Sequence, residues 1–178
     1  MKATDASGGE GTVWWITGLS GAGKSTVSRL VRDGLSARGC AALLLDGDVM
    51  RVILDETAAL TPADRCRLGM TYGRLAREIA SQGPDVVCAT ISMFHVVRAW
   101  NRGHLPRYRE IYLRVPLTEL QRRDPLGLYA RARGGEGAGV VGVDAPFEEP
   151  QCPDLVIDNF GAMDPAAAAA RILSLEAR

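Results

Sequence analysis

Lys24 is the only lysine after Lys2 in a chain whose other nineteen basic residues are arginine, and it stands inside Gly18-Leu19-Ser20-Gly21-Ala22-Gly23-Lys24-Ser25-Thr26. A compact ammonium is therefore placed where a planar guanidinium would not serve. The spacing is that of a phosphate-binding loop, in which glycines let backbone N–H groups close around a polyphosphate. The lysine of such a loop reaches the β- and γ-phosphates, and the hydroxyl after it ligates Mg²⁺. The expected ligands are ATP and Mg²⁺. The nucleotide-binding candidates are Gly18, Ser20, Gly21, Ala22, Gly23, Lys24, Ser25 and Thr26. The bland alternative is a glycine-rich turn with an accidental Lys-Ser. Its weight falls once the flanking elements are considered.

Asp46-Gly47-Asp48, followed by Arg51, forms a second constellation. One carboxylate can hold Mg²⁺ through water and the other can accept a proton; alternatively the trio is an Asx turn capping the next helix. Ile91-Ser92 ends an apolar run, where Ser92 can contact an acceptor. His95 reads better as a hydrogen-bonded histidine than as a base. Trp14, Trp15 and Trp100 read as packing residues. Arg122, Arg123, Arg131 and Arg133 surround a glycine-rich stretch, and an arginine brought over a transferring phosphate supplies on the order of 10³–10⁵ in rate. Arg131 is the catalytic candidate among them. Exposed arginines balanced by Asp124 and Glu136 are the plainer reading.

These residues need a scaffold. Apolar runs at Val13–Thr17, Ala41–Leu45, Asp85–Thr90, Ile111–Val115 and Leu155–Ile157 alternate with segments of helical character. This alternation predicts βαβ units in a three-layer α/β fold with a mostly parallel sheet. Val27, Leu30, Val31 and Leu35 recur at helical spacing after the phosphate loop, so strand, loop and helix follow in the order the motif needs. Thr61-Pro62 and Asp164-Pro165 predict helix starts. In open parallel sheets ligands bind beyond the carboxyl ends of the strands, which sets Asp46, Asp48 and Ser92 beside the loop. Residues 124–150 break the alternation and are expected to form a lid.

The 178 residues suit one domain, expected over 12–178 after a flexible lead of 1–11. A formal net charge of zero gives no field favouring nucleic acid or an anionic membrane, so a small ligand is the expected partner. Cys40, Cys66, Cys88 and Cys152 have no metal-site spacing and suit reduced thiols. With no signal-like or membrane-length apolar run, a cytoplasmic location is expected.

Taken together, the chain resembles the adenylylsulfate kinases over residues 13 to about 175. The markers are Gly18 to Thr26, Leu45-Asp46-Gly47-Asp48 with Arg51, Asp64-Arg65, and Ile91-Ser92. Further along come Arg123-Asp124-Pro125 with Gly127-Leu128-Tyr129, Gly142-Val143-Asp144, and Pro146-Phe147-Glu148. The resemblance implies a P-loop fold with an arginine- and glycine-rich lid, and transfer of the γ-phosphate of ATP to the 3′-hydroxyl of adenosine 5′-phosphosulfate. It implies that Asp48 takes the hydroxyl proton and that Arg51 and Arg65 hold the acceptor's 5′ anion. It also implies that Ile91 and Ser92 line the acceptor site and that a homodimer forms, as relatives commonly do.

The chain departs from that pattern on the acceptor side alone. The family's two base-sandwiching phenylalanines fall on Leu60 and Val140, its Asp-Arg-x-x-Asn asparagine on Leu68, and the lysine before Gly-Leu-Tyr on Leu126. Base–aromatic stacking contributes about 1–3 kcal/mol per base, so losing both faces weakens an adenine by roughly one to four orders of magnitude. Three readings follow. One is an adenylylsulfate kinase with aliphatic contacts to the base. Another is a 3′-kinase of a related acceptor, for instance a cytidine 5′-diphosphate derivative such as a diphosphoramidate. The last is a non-catalytic nucleotide-binding regulator, which the intact Asp46/Asp48 pair disfavours.

Overall fold

The computed structural model describes residues 9–56, 61–105, 107–124, 127–134, 140–143, 145 and 147–177. Five strands, β1 (Val13–Thr17), β2 (Ala42–Asp46), β3 (Asp85–Thr90), β4 (Tyr108–Arg114) and β5 (Leu155–Asp158), pair in the order β2-β3-β1-β4-β5. Every pairing is parallel. Each apolar run of the sequence therefore became a strand, β4 beginning three residues earlier than its run suggested. In register, Thr17 lies beside Thr90 of β3 and Tyr112 of β4, so the loop after β1 opens at the carboxyl edge between two strands.

Two cores flank the sheet because alternate β1 side chains point to opposite faces. Trp14 and Ile16 pack with Val27, Val31 and Leu35 of α1 (Lys24–Ala37) and with Ile172 of α7 (Pro165–Leu173). Val13 and Trp15 pack on the other face with Leu68, Tyr72 and Ala76 of α3 (Pro62–Ser81) and Val97 of α4 (His95–His104). Both tryptophans are thus core residues. Leu30 does not join them; it is 37% exposed, and the buried Ser28 stands on the inner face instead. The predicted helix starts hold. Thr61 and Asp64 form a reciprocal capping box, and Asp164 accepts the N–H of Ala167.

The shorter helices α2 (Gly47–Ile53), α5 (Leu117–Arg123) and α6 (Leu128–Arg133) decorate the carboxyl edge. The stretch expected as an irregular lid is thus partly helical. Asp124 initiates α6 by accepting the N–H groups of Tyr129 and Ala130 at 3.1 and 2.9 Å. Arg122 and Arg123 both pair with Glu119 of α5, at 2.8 and 2.9 Å, which holds that carboxyl down at about 2. Neither arginine lies over the cavity.

A buried ion pair ties α4 to the sheet and to the segment after α6. Arg98 Nε faces Glu110 of β4 at 3.4 Å, and both side chains are almost fully buried. Arg102 bridges the same carboxylate and Asp154 at 3.2 and 3.1 Å. The Arg98 guanidinium also donates to the carbonyls of Glu148 and Glu149 at 2.8 and 3.3 Å and to His95 Nδ1 at 2.7 Å. His95 is accordingly a hydrogen-bonded structural histidine. The result is that Phe147-Glu148-Glu149 is strapped against the start of α4.

Candidate nucleotide site

A cavity of about 310 Å³ opens at the carboxyl edge of the sheet. Its floor is the phosphate loop, represented by Ser20, Gly21, Gly23, Lys24, Ser25 and Thr26. The loop curls where glycine is needed. Gly23 sits at φ 86, in the left-handed region that favours glycine, immediately before α1. A Cβ on Gly18 would lie 2.6 Å from the Leu113 carbonyl oxygen. Gly18 and Ala22 are thus structural members of the loop, Ala22 being wholly buried, while the other six candidates face the cavity.

Among the described residues no side chain caps the N-terminus of α1. Its first N–H groups and positive dipole end therefore remain available to an anion. Lys24 begins the helix and returns its ammonium to the loop, donating to the Leu19 carbonyl at 2.8 Å. Burial pushes this ammonium down to about 8, a shift that nearby Asp48 and Asp46 only partly oppose. Such a lysine is short of negative charge, and a polyphosphate would supply it.

The carboxylates stand across the cavity from the loop. Asp46 ends β2 and caps α2, accepting the Asp48 N–H at 3.1 Å through Oδ1. The Asx-turn reading is therefore correct in geometry, and it leaves Oδ2 for another task. Asp48 is exposed at the cavity wall, with Arg51 one turn further along α2. Arg51 Nε donates to the Glu56 carbonyl at 3.0 Å. Arg65 and Leu68 reach the same cavity from α3, and Ile91 and Ser92 reach it from the end of β3. The Ser92 hydroxyl is buried with no hydrogen-bond partner among the described residues, and a Cβ at Gly69 would collide with it. A buried hydroxyl at a cavity wall calls for a ligand atom or a water.

Two expectations meet a different arrangement. Val140 is half-buried against the core and does not line the cavity; its neighbour Val141 does, together with Phe147. Arg131 stands exposed on α6 and outside the cavity wall. Leu60 and Leu126 lie outside the described residues. The structure also adds residues that motif reading missed. Tyr72 lines the cavity and donates to the Gly47 carbonyl at 3.3 Å, bracing the Asp46-Gly47-Asp48 turn from α3. Leu68, Gly69, Tyr72, Gly73 and Ala76 share one helix face, a periodicity visible in the sequence. Phe94, Val141 and Phe147 complete the apolar wall. Phe147 stood within the Pro146-Phe147-Glu148 marker without an assigned role, and its place at the cavity follows from the Arg98 strap on the next residue.

Comparison with known proteins adds independent findings. The family model described as adenylylsulphate kinase matches residues 10–158. The adenylyl-sulfate kinase of Paraburkholderia xenovorans is 41% identical over 154 residues, covering 86% of each chain. The bifunctional enzyme NodQ of Azospirillum brasilense is 40% identical over 165 residues, 92% of this chain, which spans only 26% of NodQ. Among solved structures, the Mycobacterium tuberculosis APS kinase CysC in complex with AMPPNP and APS superposes with a TM-score of 0.88. That match has 33% identity and covers 96% of this chain and 99% of the other.

Proposed function

The chain belongs to the adenylylsulphate kinase family, and from that premise we propose that it transfers the γ-phosphate of ATP to the 3′-hydroxyl of adenosine 5′-phosphosulfate. The products are ADP and 3′-phosphoadenosine 5′-phosphosulfate. The observation that carries this reading is a single cavity that joins the phosphate loop to Asp46, Asp48, Arg51 and Arg65. Donor and acceptor sites then share one space, as direct transfer requires. Phosphoryl transfer asks a protein mainly for positioning and charge stabilisation.

In this reading Lys24 and the loop N–H groups hold the β- and γ-phosphates, and Asp48 orients the 3′-hydroxyl and takes its proton. Arg51 and Arg65 receive the acceptor's 5′ anion. Ser25 and, through water, Asp46 would hold Mg²⁺, which would shield the phosphate oxygens. The donor set fits that ion, since Mg²⁺ keeps several waters and takes few protein ligands beside substrate phosphates. Leu68, Ile91, Val141 and Phe147 offer the acceptor base apolar contact on the far wall, with the Ser92 hydroxyl as a polar partner. Arg131 is assigned no step.

The test is ADP release with Mg²⁺ present, measured in parallel with adenosine 5′-phosphosulfate and a cytidine 5′-diphosphate-type acceptor, with the phosphorylated position identified. A higher kcat/KM for the adenylyl compound and phosphate on its 3′-oxygen are expected. Equal or greater efficiency with the cytidylyl compound would refute the proposed acceptor while keeping the chemistry.

A further inference from the structure

We infer that Asn159, the residue after β5, is a positioning residue that fixes the phosphate loop in its anion-binding orientation; the inference rests on the reading that this loop binds ATP. Asn159 is 95% buried at 5% exposure, and its Nδ2 donates to the Ala22 carbonyl at 2.8 Å. A trans peptide unit points its C=O and N–H in opposite directions. Holding the Ala22 carbonyl toward Asn159 therefore turns the Gly23 N–H away from it. Gly23 lines the cavity, so that N–H is presented on the side where phosphate binds. If the peptide flipped, a carbonyl oxygen would face the anion in its place.

The backbone of Asn159 is itself held on both sides. Its backbone N–H donates to the Arg114 carbonyl at 3.0 Å, which continues the register of β4 and β5. Its carbonyl accepts from Arg123 Nη2 at 3.0 Å, and Arg123 is anchored on Glu119 at 2.9 Å. The fit against the loop is close: a Cβ on Gly23 would lie 2.8 Å from Nδ2. The glycine before the lysine is thus required by the side chain packed against it as well as by its own φ. Arg123, an arginine beside the expected lid, becomes the outer support of the phosphate loop.

The experiment is calorimetric titration of ATP with Mg²⁺ and no acceptor, on the wild type, Asn159→Ala and Asn159→Asp, with melting temperatures and steady-state KM values beside it. Both variants are expected to raise the ATP Kd about 10–100-fold, the loss of a buried hydrogen bond, with the acceptor KM within about twofold of wild type. Asn159→Asp provides a readout that a packing role would not move. A carboxylate cannot donate to the Ala22 carbonyl and a protonated carboxyl can, so its deficit relative to wild type shrinks as pH falls from 8 to 5. The Asn159→Ala deficit stays constant over that range. If a variant is too unstable to titrate, Arg123→Met, which removes only the outer support, should raise the ATP Kd in the same direction by about threefold. An ATP Kd within twofold of wild type in every variant, equal losses for ATP and acceptor, or no pH-dependent recovery of Asn159→Asp overturns the inference. A wild type that binds no ATP overturns the proposed function as well.

Discussion

The depressed ammonium of Lys24 makes ATP binding pH-dependent in a direction and size that can be worked out. With half-titration at about 8 in the free protein, about nine-tenths of the molecules carry the charge at pH 7 and about one-tenth at pH 9. Bound phosphates add negative charge beside the ammonium and raise its affinity for a proton. Only the charged form binds well, so the apparent affinity for ATP falls about tenfold between pH 7 and pH 9, or about 1.4 kcal/mol. Binding at pH 9 then takes up about 0.9 proton per ATP, because most free molecules must be protonated on the way. Calorimetry in two buffers of different ionisation enthalpy measures that uptake directly, and Lys24→Met supplies the baseline. Stability follows the opposite sign from an ordinary ion-paired lysine. The folded value lies below the unfolded one of 10.5, so the unfolded chain binds more protons between about 8 and 10.5. Stability of the ATP-free protein therefore rises with pH across that window. Lys24→Met should stabilise the free protein at pH 7 by about 1–3 kcal/mol, the shift discounted for the partial exposure of the side chain. A flat affinity between pH 7 and 9 with no proton uptake would refute the reasoning.

Asp48→Asn should lower kcat by two to four orders of magnitude while the ATP Kd stays within about threefold, read by single-turnover kinetics and calorimetry. Arg98→Leu leaves Glu110 buried with only Arg102 beside it, and should cost about 3 kcal/mol in chemical denaturation; a loss below 1 kcal/mol would show that the pair is not a stabilising device. Arg122→Ala should leave ATP turnover within twofold, because Arg122 pairs with Glu119 on an exposed surface; a large drop would return it to the transferring phosphate.

Fold class and the phosphate-loop half of the site were readable in advance for a local reason. Strand runs, helix caps and G-x-x-x-x-G-K-S each depend on neighbours within a few residues, so their physics is written along the chain. Arg51 and Ser92 were legible from their places just after strand runs, the resemblance to adenylylsulfate kinases added Arg65 and Leu68, and the fold brings all four to one cavity. What tertiary structure alone decided lies at contacts between distant segments. Tyr72 meets Gly47, Asn159 meets Ala22 across 137 positions, and Arg98 holds the carbonyl of Glu148, 50 positions along, next to the cavity-lining Phe147. The roles of the arginines were decided in the same way. An arginine's partner depends on which carboxylate or carbonyl the fold sets within reach, so Arg122 and Arg123 went to Glu119, and Arg123 went on to back the phosphate loop. Sequence by itself determined that this chain carries a phosphate loop on a parallel sheet. Packing between elements determined which side chains brace that loop and which line the cavity wall, because non-local contacts leave no periodicity for a one-dimensional reading to find.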